Sequence, residues 1–205
     1  MQLLRAHSLT EAYLYLRVTP CPDCSGGPWQ VQDQPAATAD APPQPPPGRA
    51  LRARCQQCGA RREFVLEGVE PPAGGLAPGP AEVINPTPAA SEIIDLGQWV
   101  SLFYLLVGSA DRAADKAETR RLTFQAAQCL DEALKFYAGD DELPPPSAFF
   151  VESSRQAFAE HPEKFARQRL RDLRGKLPDH RVMARHLARD ANRKERKRWW
   201  PFWKS

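Results

Sequence analysis

The amino-acid sequence predicts an α+β protein in which a small N-terminal module of antiparallel β-strands precedes a C-terminal bundle of α-helices. Cysteine pairs flanked by strand-forming runs indicate the first part, and apolar residues at helical spacing indicate the second. A Pro- and Gly-rich stretch over residues 69–90 separates them. We therefore divide the chain into a β module (residues 1–68), a linker (69–90), a helical domain (91–178) and a basic, aromatic tail (179–205). With 205 residues, 42% of them hydrophobic, the chain can bury a core of this size.

Three short runs predict the strands of the β module. Residues 13–18 (YLYLRV) lead into the first cysteine pair, residues 51–54 (LRAR) lead into the second, and residues 64–66 (FVL) follow it. The first and third runs are rich in strand-forming residues, and the second alternates apolar with charged side chains.

The spacing of the cysteines is the strongest chemical signal in the chain. Four of the five cysteines form two pairs with a two-residue gap, Cys21 with Cys24 and Cys55 with Cys58. Such a gap lets both sulfurs of a pair face one ion, and two pairs complete a tetrahedral four-thiolate site. The sequence therefore predicts one metal ion per chain, with zinc the expected ion.

The segment between the pairs, residues 25–54, is longer than the roughly 15 to 20 residues usual for four-cysteine zinc sites. Residues 36–48 (AATADAPPQPPPG) are a low-complexity insertion that cannot pack, and without them the spacing falls inside the usual range. Gly26 and Gly27 after the first pair and Gly59 after the second are expected to supply the positive φ angles that wrap backbone around an ion.

These cysteines and their flanks resemble the zinc-ribbon group of folds over roughly residues 11–67. The resemblance is specific for metal binding and not for a particular function. A redox role is disfavoured because both pairs lie at predicted strand ends and not at a helix N-terminus. A catalytic zinc is disfavoured because four sulfur ligands leave no open coordination position. We expect a structural Zn²⁺ held by Cys21, Cys24, Cys55 and Cys58.

Two long helices are predicted after the linker. Asp95 followed by Gln98 predicts a capping box and a helix that begins near Leu96. A second helix is predicted over residues 116–137, with the fifth cysteine, Cys129, as a small core residue on its buried face. The two helices should be antiparallel and pack face to face.

Shorter helices are predicted further along the chain. Residues 148–160 are compatible with a helix, and Pro162 lies where the first turn of another would begin. That helix should end at Leu177 and Pro178. Its buried side is expected to carry Phe165, Leu170, Leu173 and Leu177, whereas Arg167, Arg169, Arg171 and Arg174 should face water.

No constellation of catalytic residues is recognisable. The sequence has no nucleophile elbow, no phosphate-binding loop followed by lysine and no zinc-protease motif, and its histidines (His7, His161, His180 and His186) are scattered. We expect a non-enzymatic binding or adaptor protein without a small-molecule substrate. The alternatives are an accessory subunit of an enzyme, with a site at the domain junction, and a peripheral membrane-associated protein.

The cellular compartment is expected to be the cytoplasm. Residues 1–10 have no basic flank followed by an apolar run of export-signal length. The longest apolar run, residues 99–107, has about half the length that a membrane-spanning helix needs. In this compartment paired cysteines stay reduced, which favours metal over disulfides.

Charge is unevenly distributed along the chain. Residues 1–68 have seven basic and six acidic side chains, so with four thiolates on a divalent ion the module is close to neutral, which disfavours strong nucleic-acid binding there. The tail is different: residues 181–205 have nine basic and two acidic side chains, and three tryptophans. Three interpretations of the tail stay open. It binds RNA or single-stranded DNA, it lies on an anionic membrane surface, or its aromatic residues fold back onto the helices.

Overall fold

The computed structural model describes residues 2–32, 49–67 and 83–178. It has a four-stranded sheet and five α-helices over these residues, which confirms the predicted α+β fold class. Three predicted segments fall wholly or mainly outside the described residues: the insertion at 36–48, most of the linker, and the tail at 179–205.

The sheet consists of β1 (Gln2–Arg5), β2 (Trp29–Val31), β3 (Arg49–Cys55) and β4 (Arg61–Glu67). The strand order is β1-β4-β3-β2. β3 is antiparallel to both of its neighbours, as predicted, whereas β1 pairs in parallel with β4. The predicted strand residues Leu51 and Phe64 face each other across β3 and β4 and are buried.

The prediction of a strand over residues 13–18 is wrong, because this run is the second half of a helix, α1 (Leu9–Val18). Ser8 caps the helix, and its hydroxyl accepts the backbone N–H of Glu11. The Ser8 cap and Glu11 three residues later are the sequence signal of a helix start that the strand propensity of the following residues obscured. Most apolar side chains of α1 are buried, namely Leu9, Ala12, Leu14, Tyr15 and Leu16. Helix formation is therefore favoured by both the cap and the packing.

The two long helices are α2 (Leu96–Arg112) and α3 (Lys116–Leu134), and they pack along each other. The capping box of Asp95 and Gln98 is present, so the predicted start of α2 is confirmed. α3 begins where predicted but ends before residue 137. Their buried faces include Trp99, Leu102, Leu106, Leu122, Ala126, Cys129 and Leu130.

The shorter helices are α4 (Glu152–Glu160) and α5 (Arg167–Gly175), each preceded by a 3-10 turn, at Pro146–Ala148 and Pro162–Phe165. The prediction that all four arginines of the last helix face water is wrong for two of them. Arg174 Nε lies 2.8 Å from Asp131 Oδ1, and the Arg167 guanidinium lies 5.9 Å from the centre of the Tyr137 ring.

A buried carboxylate joins α4 to the start of α2. Asp95 Oδ1 accepts the N–H of Gln98 at 2.8 Å and the hydroxyl of Ser154 at 2.9 Å. Its Oδ2 accepts the N–H groups of Phe150 and Val151, at 2.9 and 3.0 Å. Asp95 is fully buried. One side chain therefore caps α2 and holds the residues that lead into α4.

The described end of the predicted linker packs between the β module and α3. Ile84 and Asn85 are buried. Ser8 Oγ donates to the carbonyl of Ile84, whose N–H donates to Gln128 Oε1 at 2.8 Å. Asn85 Nδ2 lies 3.1 Å from Glu132 Oε2. The buried apolar residues of the module and the helices form one continuous core.

Candidate metal centre

Two backbone turns of matching geometry present the four predicted cysteines. In the first turn, the N–H of Ser25 donates to the carbonyl of Cys21 at 2.7 Å. In the second, the N–H of Gly59 donates to the carbonyl of Cys55 at 3.0 Å. Cys55 ends β3 and Cys58 lies in the turn to β4, so the antiparallel pair fixes the second turn.

The residue after each cysteine pair has a positive φ angle, 55° at Ser25 and 77° at Gly59. Gly59 was expected to have this role, whereas the expectation for Gly26 and Gly27 is wrong, because the left-handed position of the first turn falls on Ser25. When the two cysteine pairs are aligned in sequence, Ser25 takes the position of Gly59, and both residues have a positive φ angle. Serine adopts this conformation less readily than glycine.

The four sulfur atoms converge on one point. The distances are 3.7 Å between the Sγ atoms of Cys21 and Cys58 and 3.8 Å between those of Cys24 and Cys55. All four Sγ atoms lie within 4.8 Å of one another. A tetrahedral zinc ion with Zn–S bonds of about 2.3 Å places its sulfurs about 3.8 Å apart. The two closest cross-pair distances therefore match the edge of such a tetrahedron.

Backbone N–H groups point at the sulfurs and alter their ionisation. The N–H groups of Cys58 and then Gln57 lower the pKa of Cys55 to about 7, despite its burial. At Cys21, burial outweighs similar hydrogen bonds and raises the pKa. Four thiolates in so small a space repel one another, and a divalent cation removes that repulsion. The donor set thus suits a metal ion that binds thiolate.

The site lies at the end of the sheet and is open on one side. Cys21 and Cys55 are fully buried, Cys24 is half-buried and Cys58 is exposed. Trp29 pairs with Cys55 across β2 and β3 and packs edge-on against Phe64, with ring centres 5.6 Å apart.

Charged side chains surround the cysteines in a pattern that the sequence did not reveal. Arg62 of β4 pairs with Asp23 between the first two cysteines, at 2.8 Å. The Arg54 guanidinium lies against Gly59, where a Cβ atom would be 3.2 Å from its Nη2. These contacts place two arginines beside the cysteines, where their charge would offset that of a thiolate metal site.

The other candidate residues lie apart from this cluster. Cys129 is buried in α3, where burial raises its pKa well above the ordinary value. His7 Nδ1 contacts Glu11 Oε2 at 3.1 Å, and His161 Nδ1 contacts Glu163 Oε1 at 3.4 Å. Within residues 2–32, 49–67 and 83–178, the four cysteines are the one group of His, Cys, Asp or Glu side chains placed to share an ion.

Comparisons with protein-family models, with curated proteins and with solved structures found no match to this chain. The interpretation of the site therefore rests on the geometry of the four cysteines. In the part of the chain that the structure describes, no helix combines the length and apolar character needed to cross a bilayer.

Proposed function

We propose that this protein is a non-enzymatic binding or adaptor protein whose N-terminal part is a zinc ribbon that holds one structural Zn²⁺. The observation that carries the proposal is the convergence of four cysteine sulfurs from two matching turns. The antiparallel strands β2, β3 and β4 next to these turns support the likeness to a ribbon.

The four thiolates would close the coordination sphere of the ion, so the metal stabilises structure and does not activate water. It would join the segment after α1 to the turn between β3 and β4. These two segments also meet through the ion pair of Asp23 with Arg62 and through the N–H of Gln56, which donates to the carbonyl of Pro28 at 3.0 Å. Metal binding at such a site contributes directly to the free energy of folding.

One described cavity supports a binding role over an accessory role in catalysis. It lies at the junction of the β module and the helices and has a volume of about 570 Å³. An enzymatic site there would need converging acid or base side chains. None of the described residues that line this cavity is His, Asp or Glu.

We also propose that the basic tail gives the protein a second contact, with a polyanion. The tail concentrates nine basic residues against two acidic ones in residues 181–205, although the whole chain has a net charge of only +3. RNA or single-stranded DNA is the first candidate, because the tryptophans beside the arginines could stack on exposed bases. The alternative is an anionic membrane surface that faces the cytoplasm.

Metal analysis of the purified, reduced protein tests the zinc proposal. We expect one zinc per chain in the wild type and loss of zinc in Cys21→Ser and Cys58→Ser. Cys129→Ala is the matched control, because it removes a cysteine outside the site and should keep the metal. Hydrogen exchange after chelation should show loss of protection in β3 and β4, with α2 and α3 still protected. Metal-free wild type with a protected sheet would refute the proposal.

A further inference from the structure

The cavity at the junction of the β module and the helices is a groove between these two parts. Its walls come from the end of α1 and the segment that follows it, from α2, from α4 and from the start of α5. We call it the junction groove and define it by Pro20, Ser101, Tyr104, Ser153, Lys164 and Arg169.

The charges of the junction groove have one sign. Lys164 and Arg169 line it, and no carboxylate does. Among the described residues, no acidic side chain forms an ion pair with either cation, whereas Arg167 and Arg174 of the same region both contact other groups of the protein. Two cations that have no acidic partner among the described residues, at a concave surface, attract an anionic ligand.

The groove also has apolar walls and hydroxyl groups. Val100, Val151, Ala157 and Phe165 contribute apolar surface. Ser101, Tyr104 and Ser153 contribute hydroxyls, and the Tyr104 side chain is 49% exposed. An exposed tyrosine beside apolar surface is typical of protein-binding sites, because its ring packs while its hydroxyl stays hydrated.

We propose that the junction groove binds an acidic peptide segment that carries one apolar side chain, so that carboxylates pair with Lys164 and Arg169 while the apolar side chain packs on the groove wall. The inference rests on the proposed adaptor function and names the chemistry of its partner. Small-molecule sites usually enclose most of the ligand. Tyr104, Ser153, Lys164 and Arg169 are all exposed, which suits an extended chain that lies along the surface.

Fluorescence anisotropy with a labelled peptide of alternating Asp and Glu around one central Phe tests this inference. The same peptide with Asn and Gln in place of the acids is the control ligand. We expect saturable binding of the acidic peptide to the full chain and no measurable binding of the neutral one. Failure of the acidic peptide to bind would overturn the proposal.

Two pairs of matched variants separate the groove from other basic surfaces, including the tail. Arg169→Glu should weaken binding about tenfold or more, whereas Arg171→Glu, the same charge change on the exposed side of α5, should have less than about a twofold effect. Ser101→Trp should fill the groove without changing charge. Ser109→Trp is its control, because both hydroxyls donate to the carbonyl four residues earlier in α2.

Unchanged binding in Ser101→Trp, or equal losses in Arg169→Glu and Arg171→Glu, would show that the peptide binds elsewhere and would overturn the proposal. Zinc content is measured on the same samples. A variant that loses peptide binding but keeps its zinc bears on the groove proposal alone. A wild type without zinc contradicts the proposed zinc ribbon.

Discussion

Asp95 shows how much one buried side chain can contribute when all of its lone pairs are used. Each of its oxygens accepts two hydrogen bonds, and their donors lie at the first turn of α2 and around the start of α4. Hydrogen bonds to an ionised carboxylate are stronger than those between neutral groups. The capping box with Gln98 follows from sequence spacing, but the bonds to Phe150, Val151 and Ser154 cross more than fifty residues and leave no local signal.

Asp95→Asn should destabilise the fold by about 2 to 4 kcal/mol, because the amide has one acceptor oxygen and leaves buried or part-buried donors without a partner. Asp115→Asn is the matched control. Asp115 caps α3 through one exposed hydrogen bond, which its side chain accepts from the N–H of Ala117. Asparagine caps a helix about as well as aspartate. Urea unfolding followed by circular dichroism measures both free energies of unfolding. Equal losses in the two variants would contradict the double role of Asp95.

At the scale of elements, α2 and α3 were predictable from a cap and a periodic apolar face, whereas in α1 the cap signal was obscured. The start of α2 is set by a local capping box, so the sequence locates it to the residue. In α1 the strand propensity of Tyr13, Leu14 and Tyr15 competes with the cap at Ser8, and burial of the helix against the core decides the outcome. A short stretch of sequence contains no signal of such tertiary packing, because the packing partners lie far away in the chain.

The contact between α2 and α4 depends on a glycine. A Cβ atom at Gly97 would lie 2.6 Å from Ser154 Oγ and 2.7 Å from Ser154 Cβ. Gly97→Ala should therefore force the helices apart and destabilise the protein by about 1 to 3 kcal/mol.

Gly108→Ala in the same helix is the control, since the nearest atom to its Cβ would be a flexible arginine nitrogen at 3.7 Å. Without a clash, this change should stabilise the protein by about 0.5 to 1 kcal/mol through helix propensity. Thermal unfolding of both variants gives the comparison. Stabilisation by Gly97→Ala would show that the two helices are not in close contact.

At the scale of the whole molecule, the convergence of the four cysteines was predictable and their surroundings were not. Four cysteines at fixed gaps are a signature that can be read without knowledge of the fold. The pairing of Asp23 with Arg62 depends on how the first turn meets β4, and the burial of Ile84 and Asn85 depends on contacts with both Ser8 and α3. Such long-range contacts exist only after the chain has folded.

The charge of the tail gives a prediction that concerns the complete chain. Removal of residues 181–205 should abolish binding to single-stranded RNA, and the affinity of the wild type should fall steeply with added salt. Trp199→Ala with Trp200→Ala should cost roughly 1 to 3 kcal/mol per lost stacking contact. Binding is measured by anisotropy of labelled RNA and, in parallel, by flotation of anionic vesicles.

Binding to vesicles without binding to RNA would identify a membrane surface as the polyanion. If neither ligand binds and the double tryptophan variant unfolds several degrees lower, the aromatic residues belong to the core and the polyanion proposal is wrong.

The parallel pairing of β1 with β4 has a consequence for the order in which the molecule assembles. The ion pair between Arg5 and Glu67 joins residues 62 positions apart, and β1 has no place in the sheet until β4 exists. During synthesis on the ribosome, the first strand made is therefore among the last parts of the sheet to be paired. Until then the side chain of Leu4, which is buried in the folded protein, is exposed and can form non-native contacts.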